Sequence, residues 1–501
     1  MRARLAVLLC LTLLVLAACE DTDNSEPSEE TEQNNELLHA FPEMTMEPGS
    51  ESVDCIQWSV KNEKSLYVNS VTMANDGGFH HSNWFVVPEN TFAGEDGFFD
   101  CEERGWSNVT AATRGTVLFA QSTQAFTETQ TFPEGVTLKI PPNHKVVGNL
   151  HLLNAAPREL DTQIRLKLGL VHPRDVTNIA TPFQMVYSDL AIPGKSESMF
   201  TAECNLREQY ERTTGQSWDE LEVYHVLPHY HELGNHFELR KYGGPDDGEL
   251  IHQITGFDAE ANGKSFEEPV SLAGTDGLSF GCGFDNPRDE TVGWGIGDQE
   301  MCMMLGYTNG KGVFEGNVRS GSEEVGVVDG TVQFSGPCSG LTINRSPKQS
   351  MPDDEEKEAP LYKPESNTEK DERFVPECED VPNDVEPLRE PTLTNLEDQV
   401  FSVSCAFSAC HGSEGGAAGL SLVGDDVHGS IMNHRVASPT DMPLVDPGAP
   451  ENSWLYQKVA RCAPESSAGP VSHMPLNSPT LLDPQVVAML RVWIEQGAQD
   501  N

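Results

Sequence analysis

Short apolar runs broken by Gly, Pro and Asn turns fill the sequence from about His39 to Arg345. Gly115-Thr116-Val117-Leu118-Phe119-Ala120 and Val136-Thr137-Leu138-Lys139-Ile140 are typical. Alternation with a period of two puts every second side chain on one face, so such runs bury only as strands packed face to face. With 43 Gly and 33 Pro in 501 residues, long helices are disfavoured. The pattern predicts a mainly β chain, with two sandwich domains of similar size at 39–195 and 196–347. The helical candidate in this block is Leu206 to Leu221, and no repeat of solenoid period interrupts it.

Charge and targeting signals set the surroundings. Arg2 and Arg4 precede an apolar run, Leu5 to Leu16, too short to span a bilayer and suited to a signal peptide over 1–18. It ends in Leu16-Ala17-Ala18-Cys19, which resembles a bacterial lipobox and implies lipidation of Cys19. Residues 19–38 hold eight acidic and no basic side chains, and read as a disordered tether. The expectation is an exported lipoprotein on the periplasmic or cell-surface face of a bacterial membrane, anchored by lipid alone. Twelve Cys agree with an oxidising compartment, and a formal net charge of −47 excludes nucleic acid as a partner. A second acidic, Pro-rich stretch, 348–392, reads as a solvated linker before a C-terminal block at 393–501.

Histidine spacing carries the chemistry. His229 and His231 lie two apart and share a face of a strand, where they present two imidazoles to one metal. His80 and His81 are neighbours, so they bind one ion only from a bulge, a strand end or a twisted segment. His151 forms a third group, and Glu300-Met301-Cys302 lies downstream. Two His with one Met make a soft donor set that favours copper. Residues 39–345 here resemble the copper type II, ascorbate-dependent monooxygenases of the peptidylglycine α-hydroxylating and dopamine β-monooxygenase type.

The resemblance implies two jelly-roll-like β-sandwich domains and two copper ions. An electron-transfer copper falls on His80, His81 and His151. An oxygen-binding copper falls on His229, His231 and Met301, the catalytic set. It also implies the disulfides Cys55–Cys101, Cys204–Cys338 and Cys282–Cys302, and an external reductant such as ascorbate, a quinol or a cytochrome. Peptide-processing relatives carry polar substrate-holding groups where this chain has Leu227, Met303 and Leu305. A small, apolar substrate is the expectation, hydroxylated at a C–H bond with O2. His144, His172, His225, His236 and His252 read as structural or as partners of ligands.

The C-terminal block carries a second redox signature, Cys405-x4-Cys410-His411, a lengthened form of the haem c attachment motif. Met474-Pro475 follows. A helix is then predicted with Asp483 as N-cap, Pro484 at its first position and Gly497 as stop. Together these resemble small α-helical cytochrome c-like domains. That implies haem thioethers at Cys405 and Cys410, His411 as proximal ligand and Met474 as distal ligand, with His473 and Met442 as rivals. Cys378 and Cys462 are left to pair with each other. Two functional classes follow: a monooxygenase with a fused electron donor, or a non-catalytic copper and haem lipoprotein serving electron transfer or copper handling.

Overall fold

Period-two patterning produces four large antiparallel-rich sheets. The computed structural model describes residues 35–501 apart from 122–123, 232, 256–262, 296–298, 370–377, 408–409, 413–415, 435, 437–441 and 467–468. The signal peptide, Cys19 and nearly all of the acidic tether lie outside the described residues. Strand Glu36–Ala40 pairs with Ile164–Leu170, so residues 36–38, expected in the tether, belong to the first sandwich.

In the first sandwich, one sheet runs in the order Gly97–Phe99, Glu51–Ser59, His144–Leu153, Phe79–Pro88, Thr116–Gln121. The facing sheet is built on Ile164–Leu170, Leu66–Asn75 and Val136–Ile140. Both contribute to one core, with Ile56, Trp84 and Leu150 from the first and Val68, Leu138 and Leu166 from the second.

The second sandwich pairs a sheet ordered Lys264–Ser271, Glu222–His229, Met303–Thr308, Thr181–Tyr187, Gly312–Val318, Ser339–Asn344 with another centred on Gly277–Asn286 and Ser196–Asn205. Thr181–Tyr187 lies well inside the second sandwich, pairing with Met303–Thr308 and Gly312–Val318. The crossover therefore falls near Ala180 rather than at 195/196. Nothing in the local pattern marks it, because a strand reads alike in either sheet. The helix expected over Leu206–Leu221 stops at Thr214, where Gly215 turns left-handed at φ 68°.

Tyr224 and Tyr307 of the second sandwich bury into the core of the first, and the Phe132 and Tyr307 rings meet edge to face at 5.2 Å. The two sandwiches thus share a packed seam. The stretch expected as a solvated linker is instead strapped to the first sandwich. Gln349 donates to the Lys139 carbonyl, Tyr67 donates to Glu356, Tyr362 accepts from the Glu63 N–H, and Asn367 pairs twice with the Ala40 backbone. Neutral side chains make most of these contacts, which is why charge counting misses them.

The C-terminal residues build a small helical unit around Leu396, Phe401, Ile431, Tyr456, Leu490 and Trp493. Its last helix, Pro484–Glu495, has Asp483 accepting from the Gln485 N–H at 2.8 Å, and Gly497 follows at φ 97°. Among the described residues, no helix is long and apolar enough to cross a membrane.

Candidate metal centre

The bulge that adjacent histidines require is present. In the pairing of His144–Leu153 with Phe79–Pro88, His151 faces His81 and Leu152 faces Phe79, so His80 is the extra residue. A bulge reorients the side chain it carries. Candidate ligand atoms of His80, His81 and His151 all lie within 4.8 Å of one another. Their ring centroids stand 4.8 to 5.0 Å apart. Nδ1 of His80 is buried with no hydrogen-bond partner, which suits a nitrogen that coordinates a metal. Nε2 of His151 donates to Glu51 at 2.8 Å, leaving Nδ1 as its lone-pair nitrogen. That bond holds Glu51 below the usual carboxylate range.

The second group lies across the seam. His229 ends strand Glu222–His229, opposite Met303, and His231 and Met301 lie just beyond the two paired strand ends. The His229 and His231 rings are 5.2 Å apart. His231 donates from Nδ1 to the Gln299 carbonyl at 2.7 Å, so its Nε2 keeps the lone pair. Glu300, fully buried, accepts from the N–H groups of His231 at 2.8 Å, Leu233 at 2.7 Å and Met301 at 3.2 Å. One carboxylate therefore fixes both arms of the His-x-His and Met pair. The Cys282–Cys302 disulfide ties the residue after Met301 to the facing sheet.

The two groups meet, with the His81 and His229 rings 5.8 Å apart. Burial, then mutual repulsion, pushes His80 and His229 down to about 3 and His81 well down, while His231 is also lowered, chiefly by burial. All four are neutral at pH 7, the form that ligates metal. Leu227 and Leu305 are cross-strand partners on the face that carries His229 and Met303, so the histidines adjoin an apolar surface.

The remaining histidines take local roles. Nδ1 of His144 donates to the Pro142 carbonyl, and Nδ1 of His172 accepts from the Arg174 N–H. His225 meets the Ser265 hydroxyl, and His236 lies 3.6 Å from Glu238. His252 stands 6.4 Å, ring to ring, from Phe237. Sequence reasoning missed Glu51, which has no local signal, and gave no role to Glu300, although it stands beside Met301.

In the helical unit, Nδ1 of His411 donates to the Leu420 carbonyl at 3.0 Å, which leaves the lone pair on Nε2. Neither Cys405 nor Cys410 enters a disulfide, and burial pushes the Cys405 thiol up to about 12. Met474 packs against the helical core, and Nε2 of the buried His473 has no hydrogen-bond partner. The side-chain chemistry present fits a haem, with Met474 and His473 both available as donors for a second ligand. The disulfides Cys55–Cys101, Cys204–Cys338 and Cys378–Cys462 are also formed.

No family model matches the chain, and no curated protein matches it. Solved structures with some similarity include the major capsid protein P2 from bacteriophage PM2, 10% identical over 55% of this chain and 97% of that one, with a TM-score of 0.23. The cowpea mosaic virus top component, a naturally occurring empty particle, is 10% identical over 58% of this chain and 96% of that one, with a TM-score of 0.25. The Sulfolobus turreted icosahedral virus structure is 8% identical over 56% and 61%, with a TM-score of 0.16. Likeness this loose carries no argument about what the chain does.

Proposed function

We propose that the chain is an exported, lipid-anchored copper monooxygenase that hydroxylates a C–H bond of a small, apolar substrate, with a haem c-bearing helical unit as its electron donor. The observation that carries this reading is the convergence of five imidazoles at one seam, with the backbones of His231 and Met301 held by the same Glu300 carboxylate. Copper supplies one-electron redox chemistry and reactivity toward dioxygen, and haem iron supplies a reversible one-electron store. The donor sets differ in a useful way. His80, His81 and His151 are hard enough to serve both copper oxidation states, whereas Met301 biases its site toward the reduced one.

The protein does the positioning. Glu51 locks the His151 tautomer, and Glu300 holds the backbone that presents His231 and Met301. Leu227, Met303 and Leu305 offer an apolar flank and no charge with which to hold a carboxylate substrate. Four disulfides suit an oxidising compartment.

The test is oxygen consumption by copper-loaded, reduced protein across a panel of small apolar substrates, with the product analysed for a new hydroxyl group. Turnover is expected to require copper and to vanish in Met301→Leu and His229→Ala. Copper uptake with no hydroxylated product would identify a non-catalytic copper protein instead.

A further inference from the structure

The helical unit is seated on the strand that carries His80 and His81, and one side chain makes the joint. Asn477 is 6% exposed and left-handed at φ 53°. Its Oδ1 accepts from the Phe79 N–H at 2.6 Å, and its backbone carbonyl accepts from the Gly78 N–H at 3.1 Å. Its Nδ2 donates to the Gln124 carbonyl at 2.7 Å and to Asn75 Oδ1 at 3.2 Å. Gly77 is bare where they meet, since a Cβ there would come within 3.0 Å of the Asn477 carbonyl and of Pro479. Arg158 adds a contact to the Thr480 hydroxyl. Every hydrogen-bonding group of the Asn477 side chain is therefore spent on the first sandwich. A solvated tether would leave them to water.

The segment that makes this joint starts at His473 and Met474, two of the candidates for the second haem ligand. It ends against Phe79, the residue before His80. We propose that the loop 473–477 is the port through which the metal at His80, His81 and His151 is reduced, with Asn477 as the positioning residue. The inference rests on the copper and haem reading above. The step is a transfer of one electron. Ferrous haem iron becomes ferric, Cu(II) becomes Cu(I), no bond forms or breaks, and no proton moves. A docked donor needs no diffusional encounter, so two acidic partners exchange electrons without charge attraction.

The test uses the full chain carrying covalent haem and Cu(II). A photosensitised ruthenium complex reduces the haem in a laser flash, and the ferrous Soret band is followed as the Cu(II) electron paramagnetic resonance signal is lost. In wild type the decay is expected to be first-order and independent of protein concentration. Asn477→Gly keeps the left-handed backbone and removes only the side-chain bonds. It is expected to slow the decay at least about tenfold with unchanged starting haem and copper spectra. A wild-type rate in that variant overturns the port. As a check that needs no variant, the Gly78 and Phe79 amides are expected to exchange slowly with deuterium in wild type, and fast exchange also overturns it. Absence of covalent haem or of a Cu(II) signal in wild type defeats the underlying reading and the port with it, and is told apart because it appears before any flash.

Discussion

At the scale of single residues, two carboxylates decide how well the histidines are held. Glu300 accepts three backbone N–H bonds while fully buried. Glu300→Ala leaves those donors unpaired, at about 2 kcal/mol or more of stability in chemical denaturation. Copper affinity is expected to fall roughly 10- to 100-fold at the His229 and His231 site, with the three-histidine site retained. Glu51→Ala should do the converse, weakening the His80, His81 and His151 site alone by about tenfold in a copper titration. The histidines were legible because ligands of one metal must be spaced to suit a strand. Glu51 was not, because it sits 100 residues from His151 and only strand register brings them together.

At the scale of elements, the bulge at His80 is the device on which the three-histidine group depends. It is fed by Gly77 and Gly78, both at positive φ, and a Cβ on Gly78 would lie 2.6 Å from the Met46 sulfur. Gly78→Ala is expected to cost about 1–3 kcal/mol and to broaden the copper signal of that site, read by thermal unfolding and electron paramagnetic resonance. The need for a bulge followed from two adjacent histidines, since a regular strand sends them to opposite faces. The C-terminal helix was equally readable, because Asp483, Pro484 and Gly497 act locally. The strand Thr181–Tyr187 was not, since its choice of sheet is a long-range packing decision.

At the scale of the whole molecule, acidic stretches that read as spacers proved to be only partly so. Tyr362 and Asn367 fasten the strap to the first sandwich, and Asn477 fastens the helical unit to the strand that carries His80 and His81. Net charge says nothing of contacts made by neutral side chains. Acid sensitivity also belongs to the whole chain. Burial pushes His39, His225 and His473 down to about 4 from an ordinary value near 6.5. Between those values the unfolded chain binds more protons than the folded one, so stability rises with pH through this window and levels off above it. Metal-free protein should therefore melt at progressively lower temperature as pH falls from about 6.5 toward 4, as scanning calorimetry would record.

The central claim is that two copper sites share the seam between the sandwiches. Copper titration followed by X-ray absorption of the Cu(I) form tests it most directly. The account predicts two copper ions per chain and sulfur scattering that disappears in Met301→Leu while the nitrogen shell remains. A single copper, or sulfur scattering that survives that substitution, would contradict it.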